Sequence, residues 1–417
     1  MRSWVPGAEA SDFGIDNLPL GVFSTHGNAP RAGVAIGDFV ADLTTLHAAG
    51  LIDEPALHGA RTLNAFLATG RQNWTALRAR LQHLFGTQAT SHDRAFIEAV
   101  LVARSAVTMH MPIDVQDYVD FYSSIEHATN VGKIFRPDHP LLPNYRHLPI
   151  GYHGRSSSVV LDGTPIVRPN GQTKDRGAEA PTFGPTQMLD FELELGFITG
   201  PGNVMGVPIP ISQVRDHVYG YVMLNDWSAR DVQSWETQPL GPFLSKSFAT
   251  SISPWLISLD ALEPFRVDNR VLDPQALPYL QTSDRWAYDV ELEVLLETAA
   301  MRASGSAPAT ITRTNFRNMY WNLAQQLAHL TSSGSVVRPA DLFGTGTISG
   351  TQPGTYGSMI ELTMRGVNPL TLPNGEQRPF LEDGDTVIMR ARAKNAEACI
   401  GFGEVRGTII AAPAYPV

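Results

Sequence analysis

Apolar and polar positions alternate over short runs along most of this chain, and a period of three or four residues appears in only a few places. Gly21-Val22-Phe23-Ser24 and Gly33-Val34-Ala35-Ile36 read as short strands, and 38–43 follows with an alternating pattern. Trp74, Leu77, Leu81 and Leu84 then recur at helical spacing as one apolar face, and Phe96, Val100 and Val102 suggest a second helix. From Met111 onward the runs are strand-like: Val159–Leu161 before the turn Asp162-Gly163, then 191–197, 217–224, 287–296 and 386–391. One helical stripe interrupts them, Phe316, Met319, Tyr320, Leu323, Leu327 and Leu330, with Thr312 or Thr314 as its expected N-cap and Gly334 as its stop. The pattern predicts a mainly β protein with some helices rather than a doubly wound sheet. No chemistry-bearing cluster precedes Val107, so residues 1–112 read as an accessory domain and 113–417 as the catalytic one.

Composition narrows the function. The chain has 417 residues, 36 glycines and 30 prolines spread throughout, as many short strands joined by turns require. A net charge of −10 disfavours a nucleic-acid-binding face and attachment to anionic lipid. The single cysteine, Cys399, excludes an internal disulfide and a thiolate zinc site. With no export signal and no apolar run of membrane-spanning length, the expectation is a soluble, cytoplasmic protein.

Familiar catalytic motifs are missing. The glycines of 344–350 and 401–407 are each one residue off the dinucleotide fingerprint, and neither run opens a predicted helix. There is no Walker loop and no Gly-x-Ser-x-Gly elbow. Acidic residues inside apolar runs are more informative. In Leu189-Asp190-Phe191-Glu192-Leu193-Glu194-Leu195, strand alternation sends Glu192 and Glu194 to one face, and Asp190 joins them if the strand begins early. Taken alone, that alternation describes a wet sheet face as well as a site. Asp226 ends the apolar run 221–225, and Asp120 sits before Phe121-Tyr122. Two carboxylates about 4 Å apart repel by roughly 4 kcal/mol at an effective dielectric near 20. A converging set therefore needs a cation or raised pKa values, and hard oxygen ligands suit Ca²⁺ or Mg²⁺.

Three blocks carry a resemblance. Asp120-Phe121-Tyr122-Ser123-Ser124 through His127-Ala128-Thr129-Asn130, Leu148-Pro149-Ile150-Gly151-Tyr152-His153-Gly154-Arg155, and Asn225-Asp226-Trp227-Ser228-Ala229-Arg230-Asp231 closely resemble the fumarylacetoacetate hydrolase family, and the likeness runs through nearly the whole chain. The resemblance implies a small N-terminal SH3-like β-domain, a larger C-terminal mixed β-roll and a homodimer. It implies hydrolysis of the carbon–carbon bond in 4-fumarylacetoacetate to fumarate and acetoacetate, the last step of tyrosine and phenylalanine degradation. A related hydrolase of acylpyruvates or other β-diketo acids is the alternative.

Carried over residue by residue, the family pattern makes Asp120, Glu192, Glu194 and Asp226 ligands of Ca²⁺ or Mg²⁺, and places Lys246 and Thr250 at a neighbouring magnesium site. It makes His127 the general base, Glu361 its partner carboxylate, and Arg230, Gln233 and Lys246 the groups that meet oxyanion charge. Tyr122, Arg136, Tyr152, Gln233 and Thr347 fall on substrate-contacting positions. Animal members carry a tyrosine where this chain has Thr237, which makes the preferred acyl tail the open point. Two readings of other classes are a serine hydrolase built on His153 and Ser156 to Ser158, and a non-catalytic binding protein on the same scaffold.

Overall fold

The computed structural model describes residues 1–175 and 177–415. Its body is sheet-dominated with helices around it, as the alternation predicts. Five antiparallel strands form a curled N-terminal sheet in the spatial order Leu101–Ala103, Phe39–Asp42, Arg31–Ile36, Leu20–Ser24 and Thr108–His110. The helix Arg71–Phe85 covers it with Trp74, Leu77, Leu81 and Leu84 buried. The second N-terminal helix ends at Val100, and Val102 belongs to the next strand, because the chain extends at Leu101 to pair with Phe39–Asp42.

A central sheet follows the order Gly151–His153, Tyr118–Phe121, Leu342–Gly344, Leu193–Thr199, Val218–Asp226, Thr250–Ile252 and Val159–Leu161. Its two faces serve two cores. Leu195, Phe197, Tyr221, Met223 and Phe343 face the larger core, where the Phe197 and Phe343 rings stack at 4.6 Å. Ile198, Val222, Leu224, Ile252 and Leu342 face the N-terminal sheet and share its core. Gly200 lets the parts approach closely, since a Cβ there would lie 2.2 Å from the Trp74 ring. A further five-stranded sheet includes Glu291–Glu297, Thr386–Lys394 and Cys399–Ile410.

Three further boundaries differ from the periodicity. The 191–197 run divides into Leu189–Asp190 and Leu193–Thr199, with an isolated bridge from Glu192 to Ser358 between them. The 287–296 run likewise breaks into Ala287–Tyr288 and Glu291–Glu297. Thr312 and Thr314 lie in the strand Ala309–Asn315, and the helix starts only at Leu323. Asn322 caps it, accepting from the amides of Ala324 and Gln325 while Gln325 reaches back, so a capping box sets the start instead of a threonine.

Candidate active site

The period of two along the central strands assembles the site. Asp120 shares a face with Tyr118, Glu194 with Ile198, Asp226 with Val222 and Leu224, and Thr250 with Ile252. That face is apolar where it meets the N-terminal sheet and acidic at its other end. The register then brings the acidic positions together. Asp120 lies opposite Tyr152 and Gly344, Gly344 opposite Gly196, and Asp226 opposite Thr250. Gly344 separates the strands of Asp120 and Glu194 and leaves their carboxylates room. A Cβ at Gly344 would lie 2.5 Å from Asp120 Oδ1 and 2.9 Å from Glu194 Oε2.

Asp120, Glu192, Glu194 and Asp226 thus each offer an oxygen within 4.8 Å of the others, and all are buried. A wet sheet face is thereby excluded. Asp190 does not join them: its carboxylate is taken by Arg230 Nε, at 2.7 Å, and by the amides of Met359 and Ile360. Asp120 Oδ1 and Glu194 Oε1 are buried with no hydrogen-bond partner among the described residues. Burial and then the neighbouring carboxylates push Asp120 and Glu194 well above their usual range. Burial would raise Glu192 too, but the Lys246 and Arg230 cations bring it down to about 2.

The remaining polar groups close around this cluster. Lys246 Nζ donates to Glu192 Oε2 and, at 2.7 Å, to Asp226 Oδ2. Tyr152 Oη donates to Asp120 Oδ2 and Asp226 Oδ2, both at 2.8 Å, and Thr250 Oγ1 to Asp226 Oδ1 at 3.1 Å. Arg230 Nη2 lies 2.7 Å from Glu192 Oε1, and Arg230 Nη1 donates to Gln233 Oε1 at 3.1 Å.

His127 stands beside the cluster on the helix Ile125–Phe135, which Ser124 caps. Its Nε2 is 3.9 Å from Glu192 Oε1, and its Nδ1 is 2.6 Å from Glu361 Oε2. Glu361 also accepts from Ser349 at 2.9 Å, Ser358 at 2.7 Å and Asn130 at 2.9 Å. Sequence reasoning passed over these three donors. Ser358-x-x-Glu361 has the spacing of a capping box, which could have flagged the pair. The Tyr122 ring meets His127 edge-on at 5.3 Å. Arg136 is exposed just past the end of the same helix, and Thr347 is buried on the segment after Leu342–Gly344. Thr237 Oγ1 turns back to Gln233 O at 2.6 Å. His153 is exposed, and no hydrogen bond joins it to Ser156, Ser157 or Ser158 among the described residues.

Two family models match the chain. One, described as fumarylacetoacetate (FAA) hydrolase C-terminal, covers residues 117–410, and one described as fumarylacetoacetase N-terminal covers 16–112. The chain belongs to the fumarylacetoacetate hydrolase family. It is 47% identical to the fumarylacetoacetase of Bos taurus over 99% of this chain and 100% of that one. It is 47% identical to that of Homo sapiens, covering 98% and 99%. Among solved structures it shares its fold with the fumarylacetoacetate hydrolase of psychrophilic Exiguobacterium antarcticum, with a TM-score of 0.54, 17% identity, and 94% and 99% of the two chains covered. It also shares it with maleylpyruvate hydrolase from Sphingobium sp. SYK-6 in complex with manganese(II) ion and pyruvate, with a TM-score of 0.50, 15% identity, and 95% and 100% covered. No helix of the described residues is long and apolar enough to cross a membrane.

Proposed function

We propose that this enzyme hydrolyses the carbon–carbon bond of 4-fumarylacetoacetate to fumarate and acetoacetate, the last step of tyrosine and phenylalanine breakdown. The observation that carries the reading is the imidazole–carboxylate pair of His127 and Glu361 beside four buried carboxylates. The two unpartnered oxygens, Asp120 Oδ1 and Glu194 Oε1, fit a hard divalent cation. Asp120, Glu192, Glu194 and Asp226 would hold it, with Ca²⁺ or Mg²⁺ as the assigned ion. The Lys246 ammonium has no lone pair to offer a cation, so its side chain serves as a charge partner to Glu192 and Asp226. When bound, the cation supplies positive charge for the diketone oxygens and the departing enolate.

The chain's own residues move the proton. Nδ1–H of His127 is committed to Glu361, which leaves the Nε2 lone pair facing the site as the base. His127 takes a proton from water as the water oxygen bonds to one carbonyl carbon. Arg230, Gln233 and Lys246 meet the resulting oxyanion, a donor set in which each member is typically worth about 2.7–4 kcal/mol. The carbon–carbon bond then breaks, its electron pair passes to the enolate, and the imidazolium returns the proton to carbon. Arg136 offers a forked partner for a terminal carboxylate. Tyr122, Tyr152 and Thr347 border the substrate.

A second reading, hydrolysis of an acylpyruvate or other β-diketo acid, draws on Thr237, whose hydroxyl is tied to its own helix. We read residues 1–112 as an accessory domain and 113–417 as the catalytic one, in a cytoplasmic homodimer. The exposed Leu240, Phe243 and Leu244 support the dimer. Turnover of 4-fumarylacetoacetate and of an acylpyruvate, followed before and after metal removal, tests the function. Faster cleavage of 4-fumarylacetoacetate is expected; cleavage of only the acylpyruvate would transfer the assignment to the second reading.

A further inference from the structure

Among the described residues, Asp190 is the one fully buried carboxylate of the region that neither joins the cation cluster nor touches His127. Its two oxygens receive three donors: Met359 N at 2.6 Å on Oδ1, and Ile360 N at 3.0 Å and Arg230 Nε at 2.7 Å on Oδ2. All three partners are donors, so the side chain acts as an acceptor-only carboxylate. Met359 and Ile360 open the one-turn helix Met359–Leu362 that carries Glu361. The residue at the cap position, Ser358, makes no side-chain cap bond; its hydroxyl donates to Glu361 Oε2. Asp190, about 170 residues away in the chain, satisfies the orphan amides in its place.

One carboxylate therefore holds two parts of the site. On one side it fixes Arg230 through Nε, leaving the two terminal nitrogens to reach Gln233 and Glu192. On the other it fixes the turn that aims Glu361 at His127 Nδ1. A buried ion pair is a weak source of stability, because desolvation of both charges offsets their attraction. Fixed orientation of reacting groups, in contrast, is worth orders of magnitude in rate.

We propose that Asp190 is a positioning residue that sets Arg230 and the Glu361–His127 pair in a common frame. The proposal rests on the reading of Arg230 and Glu361 as working groups of the site. In the cation-loaded full-length enzyme, Asp190→Asn should lower kcat about a hundredfold while leaving KM nearly unchanged. In an Arg230→Gln background the same change should cost at least tenfold less, because the guanidinium it orients is gone. An equal loss in both backgrounds, or near wild-type kcat in the single variant, would overturn the proposal. Arg230→Lys gives an answer even if Asp190→Asn does not fold. Lysine keeps the countercharge but lacks the fork that spans Asp190, Gln233 and Glu192. Its kcat should stay near that of Arg230→Gln, and recovery toward wild type would show that Asp190 needs only a charge opposite it. If Arg230→Gln and Glu361→Gln both retain wild-type kcat, the reading of the site itself fails, a result distinct from failure of Asp190 alone.

Discussion

Replacing Glu361 by glutamine removes a charge and little else, which makes it a sensitive probe of the proposed base. An amide oxygen in the place of Oε2 can keep the bonds from His127, Ser349 and Ser358, and Asn130 can rotate to accept from the new amide nitrogen. What disappears is the negative charge 2.6 Å from Nδ1 as the imidazole becomes cationic. A full unit pair at that separation is worth about 6 kcal/mol at an effective dielectric near 20, an upper bound because the amide dipole remains. A hydrogen bond to a charged group contributes about 1.5–3 kcal/mol. Taking about 2–3 kcal/mol gives a kcat lower by roughly 30- to 150-fold. KM should hardly move, since Glu361 reaches the reaction only through His127. The assay is loss of the diketone absorbance at saturating substrate and cation, with circular dichroism to establish an intact fold. A folded Glu361→Gln enzyme within about threefold of wild-type kcat would mean that charge at this position does not assist proton transfer, since even the weakest such bond is worth more than that.

Three further outcomes follow from the geometry. Gly344→Ala places a methyl group 2.5 Å from Asp120 Oδ1. Divalent-cation affinity by calorimetry should fall by about 10- to 100-fold; unchanged affinity would place the ion elsewhere. Arg136→Met should raise KM for a dianionic substrate by about 10- to 100-fold and leave the thermal midpoint in place, because Arg136 is exposed. Equal KM values would remove it from carboxylate binding. The third concerns pH. Asp120 and Glu194 are raised in the fold, so the folded metal-free chain binds more protons than the unfolded one and loses stability as pH rises. Glu192 and Glu361 are lowered, and their contribution changes only below the ordinary carboxylate range. The metal-free thermal midpoint should therefore decline from about pH 5 to pH 8, and saturating Ca²⁺ should lessen the decline, leaving the part owed to carboxyls outside the cluster such as Asp341, which burial lifts to about 6. A midpoint that rises over that range would contradict the assigned burial of like charges.

Local pattern carried the reading of the sequence as far as neighbours along a strand. Alternation paired Glu192 with Glu194, and the apolar run before Asp226 marked the end of a buried strand. It failed where tertiary partners decide. Leu189, Phe191, Leu193 and Leu195 keep the alternation and face one core, yet the Asp190 carboxylate is taken by Arg230 and the amides of Met359 and Ile360 instead of joining the cluster. No period reports that Gly344 must lack a side chain, because the reason lies in Asp120 and Glu194 on the adjacent strands. Ser349, Ser358 and Asn130 were equally hidden, since they converge on Glu361 only after the chain has folded. The late start of the helix at Leu323 has a local cause: the Asn322–Gln325 capping box was present in the sequence and outweighs the apolar stripe before it.

The most direct test of the central claim is turnover measured against metal content in one preparation. The protein is stripped by a chelator, its divalent ions are counted by elemental analysis, and Ca²⁺ or Mg²⁺ is returned in steps while diketone cleavage is followed. Four carboxylates around one ion beside His127 predict no turnover in the stripped protein, and recovery that is complete at one ion per chain. Full turnover in a sample verified to be metal-free would contradict it.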